Sequence, residues 1–200
     1  MTAPRDDEGQ LVRALAGGDR SAFSVLYRRY NAPMVRLATA ILRNRASAEE
    51  VAQDAWVSIL KNISRFEERA SFSAWAFTIL TNAARSRARR DGRSVSFEDG
   101  GDGNALADAF DGTGHWKDMP ALWEEVTPER LVAGKNLLDH VTAAIDRLPE
   151  SQRAVMILRG QQGLEAAEVC EMLGISEGNL RVLLHRARVA VRTELEALLR

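Results

Sequence analysis

Residues 166–185 read AAEVCEMLGISEGNLRVLLH. Val169, Leu173, Ile175, Leu180 and Leu183 supply apolar side chains for the inner faces of two short helices. Cys170 is a small residue where the two would cross, and Gly174 breaks the chain between them. Two short helices meeting at a steep angle need these features together, so the stretch predicts a helix-turn-helix. Ser176 is placed to cap the second helix, whose outward positions are then Glu177, Gly178, Arg181, Val182 and His185, followed by Arg186, Arg188 and Arg192. Ser176 to Thr193 carries four arginines and one glutamate. That is the balance of a helix that meets a polyanion. An ordinary helical hairpin with a solvated basic face has the same local pattern, and the rest of the chain separates the two.

On either side the chain has helical period and almost no strand alternation. Further helices are expected near 128–147, 150–159 and 165–173, with the second helix of the motif at 176–198 and breaks at Leu148-Pro149 and Gly174. Thr127-Pro128-Glu129 reads as N-cap, proline at the first helical position and an acid in the first turn, so a second domain starts there. Near the start, Leu11, Ala14 and Leu15, then Phe23, Leu26, Tyr27, Tyr30, Met34, Leu37 and Ile41, recur at three and four around Gly17-Gly18-Asp19, predicting a short helix and a long one. Ser47-Ala48-Glu49-Glu50 reads as a capping box ahead of Val51, Ala52, Ala55, Trp56, Ile59 and Leu60, a third helix over about 48–62. Phe72, Trp75, Ala76, Ile79 and Leu80 open a fourth that ends in Arg85, Arg87, Arg89 and Arg90.

Between the two helical parts lie six of the fourteen glycines, Gly92 to Gly114, in a stretch without period. It is a flexible linker. Charge divides the same way: residues 1–92 hold 15 Lys and Arg against 10 Asp and Glu, residues 93–130 hold 3 against 9, and residues 131–200 hold 9 of each. The overall charge of −1 is a cancellation between a basic front and an acidic middle. Trp116, Met119, Leu122 and Trp123 stand among the linker's acids and are expected to dock. The fold class is therefore all-α, with two small helical domains joined by an acidic linker: residues 1–92, 93–127 and 128–200.

Several functions are excluded or disfavoured. No apolar run reaches the roughly 18 residues of a membrane span, and MTAPRDDEGQ has no signal-peptide core, so a cytoplasmic protein is expected. Cys170 is the only cysteine, and His115, His140 and His185 make no zinc spacing with it. Neither a metal nor a cofactor is expected. Cys170 reads as a buried structural residue, Trp56 and Trp75 as core, and His185 as the one histidine to link to DNA. An enzyme would have to use linker carboxylates such as Asp108 with Asp111 or Glu124 with Glu125. These are poorly preorganised and lack a nucleophile–base pair or phosphate loop. No catalytic residue is assigned.

LPESQRAVMILRGQQGLEAAEVCEMLGISEGNLRVLLHRARVAVRTEL (148–195) resembles the C-terminal DNA-binding region of bacterial sigma factors of the extracytoplasmic-function (ECF) type. AGGDRSAFSVLYRRY, ASAEEVAQDAWVSIL and FSAWAFTILTNAARSRARR independently resemble successive parts of sigma region 2, in family order. The resemblance implies a dissociable, non-catalytic specificity subunit that binds core RNA polymerase and promoter DNA, and that in this family is often held inactive by an anti-sigma factor. It implies that Glu50, Gln53 and Asp54 face the polymerase clamp, on the side of their helix away from Val51, Ala55 and Ile59. It places Phe66, Glu67, Arg69 and Ser71 at the pocket for a base flipped from the minus-ten element, with Asn82, Arg85, Arg89 and Arg90 on phosphates and the upstream duplex. It makes Ser176 to Arg192 the minus-thirty-five reader, with Arg181, Glu177, Asn179 and His185 at base edges and Val182 against a thymine methyl. The family's aromatic is Leu60 here, expected to be absorbed in the core. Residue by residue, the alternative is a free-standing helix-turn-helix regulator, against which stand the clamp motif and the lack of an apolar dimer seam after Arg192.

Overall fold

The computed structural model describes residues 5–67, 70–93, 97 and 134–198. The tryptophans Trp116 and Trp123, the expected cap at Thr127 to Glu129, and Arg69 lie outside them. Among the described residues the chain is helical throughout, without strands. Helices α1 (Arg5–Ala16), α2 (Arg20–Leu42), α3 (Arg45–Asn62) and α4 (Phe72–Arg90) form the first unit. Helices α5 (Gly134–Asp146), α6 (Glu150–Val155), α7 (Ala166–Leu173) and α8 (Glu177–Leu198) form the second, with α6 running on into a π-helical turn, Met156–Gln161.

Local chemistry sets the boundaries. Asp19 caps α2 by accepting from the amides of Ser21 at 2.7 Å and Ala22 at 3.3 Å. Hydrogen bonds from Ser21 and Ala22 hold its carboxyl below the ordinary value. Asn44, not Ser47, caps α3: its Oδ1 accepts from the Ser47 amide at 2.9 Å, and the helix starts at Arg45, earlier than the expected capping box. Ser71 caps α4 through the Ala74 amide at 3.1 Å. In the second unit Gly174 ends α7 in the left-handed region at φ +63°, where a side chain is strained.

Leu26, Met34, Leu37, Ile59, Phe77 and Leu80 are fully buried in the first unit, and Ile157, Leu158, Leu173 and Leu183 in the second. Trp56 belongs to the first core as expected, stacked edge-on to Phe23 at 5.7 Å, with its Nε1 donating to Asn31 at 3.2 Å. The two units also touch: α2 packs on α6 and α4 on α7, so the apolar interior is continuous. Phe97, in the expected linker, is buried in that interior. No helix among the described residues is long and apolar enough to cross a membrane.

Candidate nucleic-acid interface

A cleft of about 550 Å³ opens where the turn after α3 meets the first half of α4. Phe66 and Trp75 line it, their rings 5.0 Å apart and 38° from parallel, both packed on buried Phe72. Trp75 is only partly buried, which corrects its reading as core: it is a wall of the cleft. Exposed Glu67, Thr78 and Asn82 add polar edges, and the buried Thr81 hydroxyl, with no hydrogen-bond partner among the described residues, lies on the same wall. Two flat rings flanked by amide and hydroxyl groups can take a planar heterocycle. Ser71, expected in this pocket, is spent on capping α4 and on a 3.0 Å hydrogen bond with Ser73, and does not line the cleft.

Further along α4, Arg89 and Arg90 are exposed and Arg85 is half-buried. Burial, then the neighbouring Arg89, lowers the Arg85 pKa, and its guanidinium donates to the carbonyl of Leu173 at the end of α7. Arg87, read from the sequence as part of the helix's basic end and given no role there, reaches Glu50 at 3.2 Å. Glu50 is therefore paired across α3 and α4, while Gln53 and Asp54 stand exposed on α3. Val57 and Leu60 are exposed beside them, 49% and 42%. Leu60 is thus not absorbed in the core. With Gln53 it frames a mixed polar and apolar strip at helical spacing.

On α8 the expected cap forms, the Ser176 Oγ accepting from the Asn179 amide at 3.1 Å. Glu177, Gly178, Arg181, Arg188 and Arg192 are exposed, and His185 and Arg186 partly so. Arg181 pairs with Glu177 at 3.4 Å. Burial, then Arg188 and Arg186, pushes the His185 pKa down. Val182 is buried at 8%, which corrects its placement on the outer face: it packs inward beside Leu183. Asn179 is partly buried, and its Nδ2 donates to the carbonyl of Phe97 at 3.1 Å. Cys170, expected buried, is only half-buried at the helix crossing, and its thiol pKa is raised by burial and by Glu177.

The family model for Sigma-70 region 2 matches residues 26–94, and that for Sigma-70, region 4 matches residues 138–191. The ECF RNA polymerase sigma factor SigM of Mycobacterium tuberculosis is 30% identical over 179 residues, 90% of this chain and 80% of its own length. The chain belongs to the sigma-70 family, in its ECF group. ECF sigma factor SigW of Bacillus subtilis is 27% identical over 187 residues, 94% of this chain and 96% of SigW. The solved structure of CnrH in complex with the cytosolic domain of CnrY shares the fold, with a TM-score of 0.50 at 20% identity, covering 95% of this chain and 97% of CnrH. As a sigma factor the chain is a transcription-initiation factor and not an enzyme. Phe66, Trp75 and Asn82 of the cleft, and α4, lie within the region 2 match; Glu168, Glu171 and Met172 on the cleft's other side, and most of α8, lie within the region 4 match.

Proposed function

We propose that this sigma factor binds core RNA polymerase in the cytoplasm and directs it to promoters, residues 1–92 reading and melting the minus-ten element and residues 128–200 reading the minus-thirty-five element, with residues 93–127 as the connecting linker. The observation that carries this is the pairing, in one chain, of an aromatic-walled cleft at the foot of an arginine-rich helix with a capped helix whose exposed end is basic. The first suits an unstacked base held by its faces and edges; the second suits a major groove. Phe66, Trp75 and Asn82 hold the base with Glu67 at the cleft's edge, Arg69 is assigned to the same strand by the family resemblance alone, and Arg85, Arg89 and Arg90 take phosphates. Gln53 and Asp54, with Val57 and Leu60, contact the polymerase; Glu50 contributes through Arg87, which it orients. Arg181 reads a base pair, with Asn179, Glu177 and His185 beside it, while Arg186, Arg188 and Arg192 hold the backbone. An anti-sigma factor is the expected negative partner, as membership of the ECF group implies.

Run-off transcription with core polymerase on a randomised promoter library tests the reading, and the chain alone should select nothing. Within a selected promoter, Arg181→Ala should relax preference at one base pair in the upstream element. Arg192→Ala should weaken all promoters alike and flatten the salt dependence. A uniform loss for Arg181→Ala makes it a phosphate clamp and overturns this orientation of α8.

A further inference from the structure

Five side chains follow one another along the outer face of α8 at spacings of three and four: Glu177, Arg181, His185, Arg188 and Arg192. Glu177 is the one acid of that stripe. A surface that meets phosphates gains from each positive charge and loses from each negative one, so a carboxylate at its leading end weakens binding to any DNA. The helix dipole favours an acid in the first turn, yet that reason serves positions 178 and 179 equally well and does not select 177.

What selects 177 is Arg181, four residues on. Glu177 Oε2 lies 3.4 Å from Arg181 Nη2, in the order along the helix that favours such a pair. The rest of the turn is committed elsewhere. Ser176 accepts from the Asn179 amide, Asn179 donates to the carbonyl of Phe97, Gly178 has no side chain, and Leu180 and Val182 are buried. Glu177 is thus the one hydrogen-bond and ion-pair partner of Arg181 among the described residues. The Glu177 and Arg181 side chains are 63% and 50% exposed, and a pair so open to water adds little to stability. Its consequence is geometric: the carboxylate holds one of the guanidinium's five N–H groups and leaves the others, still in their fixed plane, for a bidentate edge such as guanine O6 and N7.

We propose that Glu177 is a positioning residue: its carboxylate aims the Arg181 guanidinium at a guanine edge and offsets its charge toward phosphates, so that Arg181 adds selectivity rather than general affinity. The proposal rests on the reading that Arg181 faces a base pair in the major groove. An arginine alone at this place on the helix swings to the nearest phosphate and binds every sequence alike. Paired, it is close to neutral and gains only where guanine completes its hydrogen bonds; opposite another base the carboxylate stays beside the DNA with nothing to offset it. The sign separates this role from a scaffold. Removing the acid strengthens binding to unrelated sequences while weakening the preference for the right one, which the loss of a merely structural contact does not do.

The test uses holoenzyme formed from the full chain and core polymerase, and a set of duplexes in which each base pair of a selected upstream element is changed in turn. Affinity is measured at several salt concentrations. Arg181→Ala marks the base pair that Arg181 reads. Glu177→Gln should lower the preference at that same base pair about fivefold or more, tighten binding to an unrelated duplex, and steepen the fall of log K with log salt by about 0.9. Glu177→Asp keeps the charge on a shorter arm, so it should lose part of the preference while keeping the parent's salt slope. In the Arg181→Ala chain, Glu177→Gln should remove no further preference. A preference lost at a different base pair shows Glu177 touching a base itself and overturns the proposal, with the assignment of Arg181 standing. An equal loss on every duplex for Glu177→Gln, as a frayed α8 gives, overturns it as well. Arg181→Ala weakening every duplex alike overturns the reading of α8, and the proposal with it.

Discussion

Gly174 carries two loads that a single substitution can separate. It turns the chain at φ +63°, and a Cβ built on it would lie 3.1 Å from Arg85 Nη2 and 3.7 Å from Nη1. Gly163 offers an internal control, because it holds φ +67° with nothing within 4 Å of its own hypothetical Cβ. An L-residue forced into the left-handed region costs about 1 kcal/mol. Gly163→Ala should therefore destabilise by about 1 kcal/mol, and Gly174→Ala by that plus the disturbance of the Arg85 contact. A hydrogen bond from a charged donor contributes about 1.5–3 kcal/mol when buried, and Arg85 is half-exposed with a flexible side chain, so about 1 kcal/mol is the share at risk. The expected total for Gly174→Ala is about 2 kcal/mol, or roughly 4–8 °C in Tm at about 2–4 °C per kcal/mol for a chain of this size.

Urea unfolding followed by far-ultraviolet circular dichroism gives both values, and the decisive measurement is the double-mutant cycle. In an Arg85→Ala chain the guanidinium is absent, so Gly174→Ala should fall to the cost of Gly163→Ala, with a coupling energy of about 1 kcal/mol. Equal costs for the two glycines in the parent chain would show that Arg85 does not press on the turn. An excess at Gly174 that persists without Arg85 would place its cause within the helix-turn-helix.

Asp54→Arg should weaken capture of core polymerase while leaving helicity intact, because the side chain is exposed and makes no hydrogen bond or ion pair among the described residues; unchanged capture would remove α3 from that interface. The two tryptophans should behave oppositely. Trp56→Ala empties a core site and should cost about 3–5 kcal/mol of stability. Trp75→Ala should leave the fold largely intact and lose about 1–3 kcal/mol of single-strand binding, so a loss of stability as large as that of Trp56→Ala would return Trp75 to the core. His185 has a pKa below its ordinary 6.5 in the folded chain. The unfolded chain then binds more protons, and the His185 contribution to stability is lost as pH falls from 6.5 through the folded value. A phosphate brought near the ring favours the imidazolium, so promoter binding should take up a proton and tighten as pH falls from 8 toward 6. His185→Gln should flatten that slope, and an identical slope in the variant would show that no phosphate approaches the ring.

Much of this architecture is written locally. The breaks at Gly17-Gly18, Leu148-Pro149 and Gly174 have backbone reasons that act within a few residues, and so do the caps at Asp19, Ser71 and Ser176. Where two residues could do the same job, local reading chose the wrong one. Asn44 and Ser47 both suit a cap, and starting α3 at Arg45 on the Asn44 cap still leaves Ala48 in the core, fully buried. Helix phase fails for a similar reason at Leu180, Val182 and Leu183. Three apolar residues in four positions fill more than one stripe, and α8 is covered by α5 and α6 as well as by α7, so Val182 turns inward. Leu60 and Trp75 err in the same direction, both read as core and both found at the surface, because hydrophobicity says that a side chain will leave water, not whether it leaves into the core or awaits a partner.

The contact between the two units has no local signature at all. Arg36 and Gln161 lie 125 residues apart, and Arg85 and Leu173 lie 88 apart, with one partner of the second pair a backbone carbonyl that any sequence would supply. From the sequence, each arginine is indistinguishable from a solvated or DNA-facing one. What sets Arg85 apart is its position: on α4 it faces the turn that closes α7, where Gly174 leaves room for a guanidinium. That turn requires glycine for its own backbone, so the opening is present whether or not the units associate. The same arginine serves a carbonyl here and, under the proposed function, a phosphate of the promoter. Both are oxygen acceptors, and the phosphate carries the full charge, so a phosphate that reaches Arg85 offers it the stronger hydrogen bond.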